Sequence, residues 1–127
     1  MSSITHFEIY GEEPDKLARF YGPVFGWRIE RVPGVDYWRV TTAPEAGGLH
    51  GGLMHRAICG VRGWMLYISV ESLDRALADI QRLGGHVVRS KTAVPKTAWV
   101  SIVMDPQGNV FGVWQADSNA MPMPEPE

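Results

Sequence analysis

The stretch DPQGNVFGVWQ, Asp105–Gln115, decides the fold of this chain. Pro106 presets φ, Gly108 supplies a permissive backbone and Asn109 tolerates the left-handed region, so the chain reverses at Asp105–Asn109. It then enters an apolar strand, Val110–Gln115, on which alternate residues look to opposite faces. Working back, Ala98–Met104 and His86–Ser90 read as two more strands. Before them Leu73, Ala76, Leu77, Ile80 and Leu83 recur at helical spacing, with Ser72 as N-cap and Gly84-Gly85 as the stop. Trp64–Val70 is an apolar strand ahead of that helix.

The same order occurs once more towards the N-terminus. Ile4–Tyr10 alternates as a strand, and Glu13–Phe25 carries Leu17, Phe20, Tyr21 and Val24 at helical spacing, ending at Gly26. Trp27–Val32, Asp36–Thr42 and Leu49–Arg56 follow as strands, separated by Pro33-Gly34 and the Pro44–Gly48 loop. The pattern is βαβββ twice, offset by roughly 60 residues, which indicates internal duplication. Overlaying the halves puts Asp15 on Asp74, Tyr37 on Trp99, Pro44 on Pro106, and Gly52-Leu53-Met54 on Gly112-Val113-Trp114. The predicted fold class is α+β. Two modules, residues 3–56 and 64–116, form curved sheets around a cup, each with one helix on its outer face. They make one domain over residues 1–117, and the Pro- and Met-containing tail, residues 118–127, is expected to be disordered.

Composition narrows the function. A chain of 127 residues holds one sizeable core, and 45% hydrophobic with 20% charged residues is a globular balance. A formal charge of -2 offers no electrostatic attraction for nucleic acid or anionic membrane, and no apolar run is long enough to span a bilayer. The N-terminus lacks the basic and apolar regions of a secretory signal. The single cysteine, Cys59, forms no internal disulfide, so a reducing cytoplasm is the expected location.

Period-2 alternation assigns residues to the cup. On the first strand Phe7 and Ile9 go under the helix, leaving His6, Glu8 and Tyr10 in the cup. On the fifth, Leu66, Ile68 and Val70 go under the helix and Met65, Tyr67 and Ser69 face the cup. The seventh strand is expected to bury Val100, Ile102 and Met104 and to present Trp99, Ser101 and Val103. The eighth buries Phe111 and Val113 and presents Val110, Gly112 and Trp114; Tyr37 and Arg39 join by the repeat. Tyr37, Met65, Tyr67, Trp99, Ser101 and Trp114 are therefore the candidate ligand-binding residues, since aromatic and thioether surfaces suit an apolar or aromatic small molecule. His6 and Glu8 are the candidate acid and base. Trp27 and Trp38 are read as core.

The segment ITHFEIYGEEPDKLARFY (Ile4–Tyr21), the DPQGN turn, VPG (Val32–Gly34), DYWRVTT (Asp36–Thr42) and GGLM (Gly51–Met54) together resemble the vicinal-oxygen-chelate superfamily of glyoxalases, extradiol dioxygenases and bleomycin-resistance proteins. The resemblance is strongest to its glyoxalase-like branch and spans about residues 3–115. It implies metal-ligand positions on the first and last strand of each half, here His6, Gly52, Met65 and Gly112. Only His6 of these suits the divalent ions involved, so no metal and no other cofactor is expected. The expected activity is metal-independent binding of a small molecule, with a glyoxalase-like lyase or isomerase using His6 and Glu8 as acid and base, with or without a divalent metal, as the alternative. The expected assembly is a homodimer, with no nucleic-acid or membrane partner.

Overall fold

The computed structural model describes residues 2–43, 48–55 and 63–122. Cys59, Arg56 and residues 123–127 of the tail lie outside them. The described elements run β1 (Ser3–Gly11), α1 (Pro14–Phe25), β2 (Arg28–Arg31), β3 (Tyr37–Thr41), β4 (His50–His55), β5 (Gly63–Ser69), α2 (Leu73–Arg82), β6 (His86–Val94), β7 (Ala98–Met104) and β8 (Val110–Ala116). This is the α+β, twice-βαβββ order expected from the repeat. The chain divides into two compact units, residues 5–66 and residues 67–127 joined by residues 1–4.

In the first unit β2, β3, β4 and β1 lie side by side, with β1 parallel to β4 and the other pairs antiparallel. Pro14 begins α1, where its missing N–H costs nothing, and Gly26 ends it in the left-handed conformation (φ 69°), its N–H donating to the Gly22 carbonyl at 2.8 Å. Leu17, Ala18 and Tyr21 on α1 cover a core of Phe7, Ile9, Val40 and Leu53. Trp27 and Trp38 pack against the same core, as read from sequence, and the Tyr21 and Trp27 rings stack at 5.8 Å.

In the second unit β5, β8, β7 and β6 are neighbours, β5 parallel to β8 and the rest antiparallel. Two side chains close the N-terminus of α2: Ser72 Oγ accepts from the Arg75 N–H at 3.2 Å, and Gln115 Oε1 accepts from the Leu73 N–H at 2.7 Å. Ser72 was legible from its position; Gln115, 42 residues away, was not. Leu73, Val103 and Val113 form the buried centre beneath α2. The Asp105 turn has the predicted form. Its carboxylate accepts from the backbone N–H groups of Gln107 (2.8 Å) and Asn109 (3.0 Å) and from Asn109 Nδ2 (2.8 Å). The Asn109 side chain, then these backbone donors, hold the carboxyl below its ordinary value.

Three expectations are corrected. The seventh strand is turned over: Trp99 and Val103 pack beneath α2, and Ser101 pairs with Val113 on that same face. Tyr37 lies opposite Met54 and Val100 lies opposite Trp114, so the counterpart of Tyr37 is Val100, not Trp99. Both faces of the seventh strand are apolar, so alternation alone selected the wrong one, and the overlay was off by one residue there. Leu66, expected under the helix, is exposed. The start of the tail is also ordered. Ala120 is fully buried and its carbonyl accepts from the Lys96 N–H at 2.8 Å, while Asp117 accepts from the Asn119 N–H at 2.8 Å. A capped turn over the β6–β7 hairpin thus offsets the ordering entropy that composition alone suggested would win.

Candidate functional site

The face of the first unit away from α1 carries a polar cluster. Leu53 and Trp38 point to the helix, so their strand neighbours Gly52, Tyr37 and Arg39 point away. His6, Glu8 and Tyr10 on β1 share that face by alternation, with Glu8 opposite Gly52 and Tyr10 opposite Met54. Tyr10 Oη donates to Glu8 Oε1, and His6 Nε2 stands 3.8 Å from Glu8 Oε2. The Glu8 side chain is 13% exposed, so its charge sits in a medium much less polarisable than water. The predicted pairing of His6 with Glu8 is therefore present, with Tyr10 as a partner that sequence reasoning placed nearby but gave no role.

Tyr37 completes the cluster. Burial first, then the Glu8 carboxylate, push its hydroxyl up to about 12, against a smaller opposing effect of Arg39. The phenol is thus a neutral hydrogen-bond donor throughout the physiological range. The raised value makes a pH prediction. The unfolded chain loses this proton near 10 and the folded chain near 12, so the stability present below about pH 10 is lost as pH rises towards 12. Ultraviolet titration should show a late-ionising tyrosine that is missing from Tyr37→Phe; a variant titrating like the parent would contradict the assignment.

The face of the second unit away from α2 is apolar and aromatic. Tyr67 lies opposite Gly112, and Ile102 is the other neighbour of that glycine. Tyr67 and Trp114 meet edge to face at 6.3 Å, and Val100 lies opposite Trp114. Tyr67 and Trp114 are thus together, as expected. Trp99 and Ser101 are not with them. Trp99 Nε1 donates to Asp117 Oδ2 at 3.0 Å with Lys91 Nζ over its ring, and Ser101 Oγ donates to the Arg89 carbonyl at 2.6 Å. Both side chains spend their polar atoms inside the fold. Val100 and Ile102, which alternation placed under the helix, are the residues that take their place. Met65 is buried at 1% exposure. A separate cleft of about 420 Å³ opens beside the N-terminus of α2, lined by Ser2, Ser3, Glu71, Ser72 and Arg75 among others; it takes Ser69, expected in the cup, and none of the candidate ligand-binding or acid-base residues.

Comparison with known proteins follows this geometry. Residues 7–114 match the model of a glyoxalase-like domain. The chain belongs to the glyoxalase-like domain family. It is 31% identical over 110 residues to a protein of Mycobacterium bovis named "Putative glyoxylase CFP32", a match covering 84% of this chain and 41% of that one. The chain therefore spans about two-fifths of the length of that relative. Among solved structures it is similar to a glyoxalase/bleomycin resistance protein/dioxygenase superfamily member from Vibrio splendidus (TM-score 0.65, 15% identity, 92% of this chain and 100% of the other). It is also similar to a Streptomyces coelicolor methylmalonyl-CoA epimerase (TM-score 0.62, 15% identity, 94% and 98%). At these identities the structural matches speak for the fold.

The metal implied by the wider superfamily does not fit the residues present. Of the four equivalent positions, Gly52 and Gly112 have no side-chain donor, Met65 offers a soft thioether, and His6 is a single imidazole engaged with Glu8. Among the described residues no group of three or more His, Cys, Asp or Glu is placed to hold an ion. Also among them, no helix is long and apolar enough to cross a membrane.

Proposed function

We propose that this glyoxalase-like chain is a metal-independent binding protein for a small apolar or aromatic molecule, held on the face of the second unit away from α2 by Tyr67, Val100, Ile102 and Trp114. The observation that carries this reading is the edge-to-face Tyr67–Trp114 pair standing beside Gly112, where the strand has no side chain of its own. Aromatic walls of this kind gain from the apolar burial of a flat ligand against them. A library of aromatic small molecules screened by tryptophan fluorescence tests it. Saturable changes in emission are expected for some members; emission unchanged across a broad library defeats the binding reading.

A second reading rests on the first unit. Glu8, set between His6 and Tyr10 beside a neutral Tyr37 phenol, has the makings of a general base with an adjacent hydrogen-bond donor. On this reading the chain is a lyase or isomerase, and abstraction of a proton next to a carbonyl is the reaction such a pair suits. Mass spectrometry of the fluorescence hits separates the two readings. Conversion that falls in both His6→Ala and Glu8→Gln favours the enzyme, whereas binding without conversion in the parent favours the binder.

The same proposal has the protein acting as a cytoplasmic homodimer, without nucleic acid or membrane. Phe20, Val24, Phe25 and Trp64 are 56%, 57%, 57% and 48% exposed, apolar side chains that a second copy would cover. Light scattering at tens of micromolar (roughly the range where moderate interfaces form) should give the dimer mass, and a monomer there counts against the assembly.

A further inference from the structure

Gly52 and Gly112 are interior strand residues, and neither has the positive φ that would require glycine. Backbone conformation therefore does not explain them; a β-branched residue suits such positions better. What excludes a side chain is a ring. A Cβ at Gly52 would collide with Cε2, Cζ and Oη of Tyr37, and a Cβ at Gly112 with Cγ, Cδ1 and Cε1 of Tyr67. The two rings arrive from different neighbours. Tyr67 stands directly opposite Gly112 on the parallel strand β5. Tyr37 reaches Gly52 diagonally from the antiparallel strand β3, its own partner being Met54. One outcome is thus reached twice by separate routes, so it is not a copied contact of the duplication. Each ring has a further neighbour: Tyr67 meets Trp114 edge to face at 6.3 Å, and Tyr37 is buried within the influence of the Glu8 carboxylate.

We infer that Tyr37 and Tyr67 occupy the space in which a carboxylate ligand would stand at positions 52 and 112, so that each tyrosine and its glycine form one interlocked unit that keeps a divalent metal out by filled volume as well as by missing donors. Restoring a carboxylate alone does not restore a metal position, because the ring must leave first. This holds whichever small molecule the protein binds, and its test uses no ligand.

The experiment is a pair of double-mutant cycles on the full chain, Gly112→Ala with Tyr67→Ala and Gly52→Ala with Tyr37→Ala, followed by thermal melting. Adding one methyl beneath a fixed ring should lower Tm by roughly 5 °C or more, and each double variant should melt well above the sum of its two single losses. In parallel, Gly112→Glu and Gly52→Glu are titrated with Zn²⁺, Ni²⁺ and Mn²⁺, and no gain in affinity over the parent is expected. If a glycine variant fails to fold, recovery of a cooperative melt on removing its tyrosine supports the interlock, and failure to recover overturns it. Gly→Ala variants that melt with the parent, or a single Gly→Glu variant that binds any of these ions at least tenfold more tightly, likewise overturn the inference.

Discussion

Leu53→Ala should lower the free energy of unfolding by about 2–5 kcal/mol, a large share of the total stability of a domain this size. Leu53 is fully buried in the middle of β4, where it meets Phe7, Ile9 and Val40 beneath α1. Truncation loses the transfer energy of three carbons and also leaves a cavity. The strands on either side are tied into the sheet, so they are poorly able to collapse into it. Gly51, two residues along on the same face of β4, has no side chain to help fill the space, and a Cβ there would strike Phe7. Urea unfolding should show a lower midpoint with an unchanged slope. Leu83→Ala is the control: at 66% exposure it should change stability by less than about 0.5 kcal/mol. Equal effects of the two substitutions would mean that the core is not centred on β4.

Trp114→Ala should weaken ligand binding tenfold or more while Trp99→Ala should leave affinity near the parent and lower stability instead. The two indoles are close in the sequence pattern and differ in what surrounds them. Trp114 stands beside Tyr67 on the face away from α2, where removing a wall aromatic from a ligand contact loses about 1–3 kcal/mol, a factor of ten or so in affinity. Trp99 is packed among the residues beneath α2, with its N–H on Asp117 and Lys91 over its ring. Its loss opens the core and strips Asp117 of a partner at the start of the C-terminal turn. Titration of a fluorescent hit against both variants, with melting curves alongside, decides the matter. An affinity loss in Trp99→Ala equal to that in Trp114→Ala would return Trp99 to the ligand face.

Local chemistry made much of this protein legible from its residues in order. Pro14 and Gly26 bound α1, Ser72 caps α2, and the chain reverses at Asp105–Asn109 with Gly108 at positive φ. These signals need only nearest neighbours along the chain, so composition and spacing carry them. Alternation on β1 and β8 was equally readable, because only one of the two faces is apolar enough to bury or the other is interrupted by a glycine. On β7 both faces are apolar. There the sequence determined that a strand exists, and only the register against β8 decided which side meets α2. Ser101 faces the core because the carbonyl of Arg89, on β6, satisfies its hydroxyl. The sequence likewise determined that positions 52 and 112 carry no metal donor. That a tyrosine ring fills each of them was decided by strand pairing, since Tyr37 and Tyr67 reach their glycines across a sheet, through contacts between residues that no local spacing relates.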